Sequence, residues 1–222
     1  SEGDAGELML RQTPFYSESG GQQGDRRAIR AASGEFEVWD TQRPADGVVL
    51  HIGKVISGSI SSGDKVAAQI DTSRRGRLMR HHTATHLLQC ALKKLVGPSV
   101  KQAGSLVAPE RLRFDFNHFE AIPAGALAEI ERVVNEWIVA NTPVATYTMA
   151  LKDVPSSGIT ALFDEKYGEI VRVVDIGGYS RELCGGTHVA ATGELGTFRI
   201  VAESSVASGV RRIEAVTGLP AM

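Results

Sequence analysis

Glycine divides this chain. As far as residue 71, turn-forming residues recur at short intervals: Ser19-Gly20-Gly21, Gly24-Asp25, Ser33-Gly34, Asp46-Gly47, Ile52-Gly53, Ser57-Gly58 and Ser61-Ser62-Gly63-Asp64. Each glycine in a helix interior costs about 1 kcal/mol, so no long helix survives that punctuation. Phe36–Trp39, Val48–Ile52 and Lys65–Ile70 read instead as short extended segments. Strands with turn signals every ~8–12 residues predict a small barrel or sandwich. After Asp71-Thr72 the pattern changes. From Arg74 to about Val96 the only glycine is Gly76 and there is no proline. Thr72 or Ser73 is placed to cap a helix here, and Gly97-Pro98 to stop it. A second helix is predicted over Pro123–Asn141, where Ile130, Val133, Val134, Trp137 and Ile138 recur at helical spacing before Thr142-Pro143. Arg111–Phe116, Val144–Leu151, Ile170–Ile176, Thr197–Val201 and Gly209–Val216 read as strands. The expected class is α+β: a β-rich, barrel-like subdomain over residues 1–71, then an α+β unit over 72–222.

The 222 residues hold 24 Lys and Arg against 26 Asp and Glu, a net charge of −2, which argues against strong nonspecific binding to nucleic acid. With 42% apolar and 23% charged residues the chain is of globular type, and no apolar run approaches the ~18 residues of a membrane span. Two cysteines, Cys90 and Cys184, make no disulfide framework and favour a reducing, cytoplasmic setting. The start, Ser1-Glu2-Gly3-Asp4, has no signal-peptide character and no Met, which suggests a piece of something longer.

His82 and His86, in Arg80-His81-His82-Thr83-Ala84-Thr85-His86, are four residues apart on the first helix. At ~100° per residue they lie about 40° apart, so both imidazoles reach one ion. Leu88, Leu92 and Leu95 lie together on an adjoining side, the expected core face. Cys184 and His188 flank a Gly-Gly pair in Glu182-Leu183-Cys184-Gly185-Gly186-Thr187-His188, and the glycines would let the backbone turn both side chains one way. Three imidazoles and a thiol form a borderline-soft donor set suited to zinc. The zinc-protease pattern needs a Glu after its first His, and Thr83 stands there instead. His81 points about 100° from His82 and reads as non-ligating. Cys90 reads as core, and His51 and His118 have no evident companions.

Two further features carry weight. Thr13-Pro14-Phe15-Tyr16-Ser17-Glu18-Ser19-Gly20-Gly21-Gln22-Gln23-Gly24-Asp25 combines aromatic, polar and glycine residues, and reads either as a hairpin turn or as a loop whose backbone approaches a small polar ligand. Between Arg74 and Arg113 stand Arg74, Arg75, Arg77, Arg80, Lys93, Lys94, Lys101, Arg111 and Arg113 with the single acid Glu110, either a solvated helix face or a wall facing a polyanion.

His82-Thr83-Ala84-Thr85-His86-Leu87-Leu88, Cys184-Gly185-Gly186-Thr187-His188, Thr13-Pro14-Phe15-Tyr16 with Gly20-Gly21-Gln22, Gly104-Ser105-Leu106-Val107 and Gly209-Val210-Arg211-Arg212-Ile213 occur in the order found in a known family. The chain resembles the editing domain of alanyl-tRNA synthetase and, through it, the free-standing AlaX editing proteins. The resemblance implies a small β-barrel followed by an α+β unit of the threonyl/alanyl-tRNA synthetase editing type. It implies zinc on His82, His86, Cys184 and His188, hydrolysis of mischarged Ser-tRNA(Ala) and Gly-tRNA(Ala), and an editing role for Gln102. The tRNA(Ala) acceptor end and the remainder of the synthetase are the implied partners. His81 stands where the family pattern has Asn, and Asp164 where it has Gly. No class II aminoacylation motif is visible, so neither alanine activation nor ATP use is expected.

Within that expectation Gln102 and Thr85 orient water or substrate, while Gly20, Gly21, Gln22, Thr83 and Arg80 contact the aminoacyl end. Thr83, Thr85 and Gln102 are alternative partners for a serine hydroxyl. The rival readings are a noncatalytic RNA-binding module with a structural zinc, and a zinc hydrolase of small esters or amides.

Overall fold

The computed structural model describes residues 1–160 and 168–222. The departure at Asp164 lies outside them. Packing divides the chain into two compact units, Ser1–Gly76 and Arg77–Met222.

The first unit is an antiparallel sheet of five strands, β1 (Ala5–Met9), β2 (Arg27–Ala31), β3 (Gly34–Ala45), β4 (Val48–Gly58) and β5 (Val66–Ile70), in the order β1-β4-β3-β2-β5. Phe15, Ile29, Phe36, Val38 and Val55 form its core. The expected barrel is not closed: β1 and β5 are the two edges of the sheet. Leu8 of β1 and Val66 of β5 both pack against the one core, but an open groove of about 300 Å3 lined by Leu8, Met9, Leu10, Ile60 and Val66 stands where a hydrogen-bonded seam would run. The β3–β4 contact is tight enough to require glycine. A Cβ on Gly53 would lie 1.8 Å from the Glu37 carbonyl oxygen.

Helix α1 (Thr72–Leu95) starts in this unit and runs into the second. Its cap is Asp71 rather than Thr72 or Ser73: the Asp71 carboxylate accepts the Arg74 backbone N–H at 2.9 Å, the N3 bond that defines an N-cap. Arg74 donates to the Gly24 carbonyl and to Gln23, and Arg75 binds Asp25, so the first turn of α1 is tied to the glycine-rich loop.

In the second unit α1 is enclosed. Residues 81–89 are all buried, and Ala84, Leu87, Leu88, Ala91 and Leu92 enter the main core. Leu95 does not follow Leu88 and Leu92; at the helix end it is 38% exposed. Around α1 stand β6 (Gln102–Val107), β7 (Leu112–Asn117), α2 (Ala124–Val139), β8 (Val144–Ala150), β9 (Ile170–Ile176), β10 (Ser180–Leu183), β11 (Phe198–Ala207) and β12 (Val210–Thr217). They form two antiparallel sheets, β11-β12-β7-β6 and β10-β9-β8. Phe114, Phe116, Ile213 and Ala215 share one cluster with the α1 leucines and with Ile130, Val133, Val134 and Ile138 of α2. Burying each such side chain contributes about 1.5–3 kcal/mol. Asn141, at a positive φ of 49°, ends α2 just before Thr142-Pro143. The α+β class stands, and among the described residues no helix is long and apolar enough to cross a membrane.

Candidate metal centre

α1 places the His82 and His86 rings parallel, 5.4 Å apart at 13°. The segment after β10 brings the His188 ring to 4.4 Å from His82 and 5.1 Å from His86. Cys184 Sγ lies 3.4 Å from His82 Nε2 and 3.3 Å from His188 Nε2. One ligand atom from each of these four residues falls within 4.8 Å of the others, so the two sequence motifs meet in a cluster that could hold a metal ion.

Arg172 on β9 shapes the Cys184 loop. Its guanidinium donates to the Cys184 and Gly186 carbonyls at 2.9 and 2.7 Å, while the Cys184 N–H donates to the Arg172 carbonyl. The glycines do less than expected here. Neither Gly185 nor Gly186 has a positive φ, and a Cβ on Gly185 would meet nothing within 4 Å. The Gly186 N–H instead points at Cys184 Sγ, 3.4 Å away.

The electrostatics favour a cation. Burial opposes charge on Cys184, yet the facing His82, with bonds from His188 and His82, holds the thiol well below its ordinary value. Burial acts against protonated His86, but the Glu182 carboxylate and the Cys184 sulfur push it up to about 10. Burial and the neighbouring His82 push His188 down to about 3. His86 Nε2 is buried without a hydrogen-bond partner. An orphaned buried nitrogen beside a thiolate fits a bound cation, which would take the place of a proton.

The sequence motifs conceal two supporting groups. Glu182 Oε2 lies 2.7 Å from His86 Nδ1. On an extended chain a residue two before Cys184 shares its side, and that alternation is the signal pointing to Glu182. Arg172 has no such signal. Thr83 is engaged: its hydroxyl lies 3.1 Å from His188 Nδ1 and accepts the Val189 N–H at 3.3 Å. The Thr85 hydroxyl donates to the His81 carbonyl one turn back, at 2.8 Å. Gln102 and Ser105, three apart, would face opposite ways on a regular strand. The irregularity between Gln102 and Gly104 pairs them with Phe116 and Phe114 on one face, where Gln102 Nε2 reaches Ser105 Oγ at 3.4 Å. Arg80 is half-buried against the turn at Gly218.

In the first unit Gly20 and Gly21, at φ 56° and 80°, form the two-residue turn closed by the Ser19 and Gln22 backbone bonds. Both central positions need positive φ, hence Gly-Gly. Gln22 is fully buried. His51 has companions after all: it is fully buried, bonded to Thr13 Oγ1 and the Leu8 carbonyl, with Phe15 edge-on at 5.0 Å. His118 stacks near Phe116, and half-buried Cys90 donates to the Tyr179 carbonyl. Four members of the basic run have partners within the fold. Arg74 and Arg75 are spent on the loop, Arg111 pairs with Glu214 and Arg113 with Asp115.

Residues 171–214 match the model for the threonyl and alanyl tRNA synthetase second additional domain, and residues 1–74 match the model for class II (A) tRNA synthetases. Alanine–tRNA ligases of Thermotoga petrophila, Mesorhizobium japonicum and Hydrogenovibrio crunogenus are 50%, 51% and 54% identical over 97%, 98% and 98% of this chain. The chain spans about a quarter of those relatives, 25%, 26% and 25% of their lengths. With both family models in order and half the residues shared along its whole extent, the chain belongs to the alanyl-tRNA synthetase family and corresponds to its editing region.

Proposed function

We propose that this chain is an aminoacyl-tRNA deacylase that hydrolyses the ester of Ser-tRNA(Ala) and Gly-tRNA(Ala), with zinc on His82, His86, Cys184 and His188. The observation that carries this reading is the convergence of the four ligand side chains in a chain of this family. In a tetrahedral zinc site with bonds of about 2.0–2.3 Å, sulfur and nitrogen ligands stand ~3.5 Å apart, close to the 3.3 and 3.4 Å separations from Cys184. Zinc would supply a Lewis acid beside the scissile ester.

The chain's own residues hold and sort the substrate. Gln102 is the candidate to orient water or the aminoacyl group, with Thr85 on the ligand helix as the second candidate. Arg80 and the Gly20-Gly21-Gln22 turn are candidates for contact with the tRNA(Ala) acceptor end. A synthesis pocket shaped for alanine rejects glycine and serine poorly, because neither is larger by more than a hydroxyl. A second site with a polar group for that hydroxyl separates serine from alanine, since alanine leaves the group unpaired. The remainder of the synthetase is the natural partner and the cytoplasm the natural setting.

A second reading is favoured by the ligand count. Four protein ligands fill a tetrahedral shell, the arrangement of structural zinc, and a noncatalytic tRNA-binding module would have it. Single-turnover hydrolysis of Ser-, Gly- and Ala-tRNA(Ala) by zinc-loaded protein, beside a Cys184→Ala control, separates the two. Release of serine and glycine with alanine spared, lost in the control, is expected. tRNA binding without release at saturating protein, together with unfolding on chelation, favours the binding module.

A further inference from the structure

Four residues on α1 are a rise of about 6.0 Å, and two residues on an extended strand about 6.6 Å. The two elements therefore keep step where they lie side by side. His82 and His86 on α1 meet Cys184 and Glu182, two residues apart, in a sulfur contact of 3.4 Å and a carboxylate contact of 2.7 Å, while Cys90, one helical turn on, meets the Tyr179 carbonyl in the turn before β10 at 3.3 Å. The His86–Glu182 contact is largely buried, the two side chains being only 8% and 12% exposed. Thr83, next to His82, turns to another side of the helix and meets His188 and Val189.

We infer that Glu182 and Thr83 are the positioning residues of the metal centre, holding the Nδ1 protons of His86 and His188 so that both rings present Nε2 to one ion. The inference rests on the metal reading above and adds the residues that make it work. With Nε2 of His188 turned to Cys184 Sγ, its Nδ1 carries the proton and donates to the Thr83 hydroxyl. His86 Nδ1 donates in the same way to Glu182, leaving the orphaned Nε2 for the metal. The supports differ in charge. A carboxylate makes His86 the more basic ligand, and its charge-assisted bond is about twice as strong as a neutral one. Thr83 is neutral and shares its oxygen with a backbone N–H, so it grips His188 less firmly. Thr83 thereby leaves the set of candidates for the serine hydroxyl.

The test is zinc affinity, measured by competition with a chromophoric chelator, for the parent and for Glu182→Gln, Thr83→Val and Thr83→Ser. Circular dichroism of the zinc-free proteins checks that each folds. Glu182→Gln, nearly isosteric, is expected to weaken zinc binding by about 10–100-fold, and Thr83→Val by about tenfold. Thr83→Ser keeps the hydroxyl and should bind as the parent does. Should Thr83→Val fail to fold, Glu182→Gln and Thr83→Ser carry the test. Parent-like affinity in Glu182→Gln, or an affinity in Thr83→Ser as weak as that of Thr83→Val, overturns the inference. A parent that binds no zinc overturns the metal reading itself, and this inference with it.

Discussion

His81 stands beside a proposed ligand and does different work, which makes His81→Ala an informative perturbation. The side chain is 2% exposed. Its Nδ1 lies 2.7 Å from the Ala108 carbonyl, and its Nε2 accepts the Thr217 N–H at 3.2 Å. A carbonyl only accepts and an N–H only donates, so the ring is neutral with its proton on Nδ1. It pins α1 to the β6–β7 connection and to the last residue of β12. Alanine would orphan two backbone groups, in residues that are 5% and 4% exposed. At about 1–3 kcal/mol each, the loss is roughly 2–6 kcal/mol. With a urea m value of about 2–3 kcal/mol/M, the midpoint falls by roughly 0.7–3 M. The pH dependence has a definite sign. Burial lowers the His81 pKa from 6.5 despite the Ala108 bond. The unfolded state therefore takes up the proton first as pH falls. The contribution is complete above about pH 6.5 and is lost as pH drops from there toward the folded value. The stability gap between parent and His81→Ala, followed by circular dichroism in urea between pH 8 and 5, should thus narrow below pH 6.5. The zinc stoichiometry should be unchanged. A gap under about 1 kcal/mol at pH 8, a gap that widens on acidification, or loss of zinc would refute the reasoning.

Zinc at 100 times its Kd should stabilise the parent by about 2.7 kcal/mol, which for a chain of this size raises the melting temperature by roughly 5–11 °C. Cys184→Ala should show none of that shift in a thermal melt, and a parent melt indifferent to zinc and chelator alike would tell against the centre. Gly53→Ala should lower the melting temperature by roughly 6–12 °C, because its Cβ lands 1.8 Å from the Glu37 carbonyl and 2.7 Å from the Phe36 ring and forces β3 from β4 at a cost of about 3 kcal/mol. Gly125→Ala is the matched control: its Cβ meets nothing within 4 Å in α2, and it should raise stability by about 0.5–1 kcal/mol. Equal effects from the two glycines would show that the close approach does not decide the outcome.

What was legible in the residues follows from which forces act locally. α2 is readable because burial on a 3.6-residue period leaves a mark at Ile130, Val133, Val134 and Ile138, whereas α1, buried at every residue from 81 to 89, is readable from its lack of proline and from Gly97-Pro98 beyond its end. β9 is readable from its five Ile and Val residues in a run of seven, a composition that favours a strand. β10 is not. Ser180-Arg181-Glu182-Leu183 is short and charged, and its charges are neutralised only by tertiary partners, Asp175 for Arg181 and His86 for Glu182. β6 is hidden by Gly104 and by the irregularity that turns Gln102 and Ser105 to one face. The barrel expectation failed because turn spacing counts strands but does not pair the first with the last.

The four residues of the His/Cys cluster were legible for a different reason: rarity. Among six histidines and two cysteines, two pairs at matching separations stand out, whereas Glu182 is one of 26 acidic residues. What distinguishes it is a coincidence of two periods, a helix stepping by four and a strand stepping by two, which neither segment displays alone. Once Cys184 is set against His82, the residue two before Cys184 must fall near the residue four after His82. The Thr85 hydroxyl bonds within its own helix and that of Thr83 lies against His188 and Val189, so each of these candidate substrate contacts already has a partner inside the fold. Among the described residues Gln102, held by a 3.4 Å bond to Ser105, is the polar candidate with most hydrogen-bonding capacity uncommitted, and under the proposed function it is there that discrimination of serine from alanine is best sought.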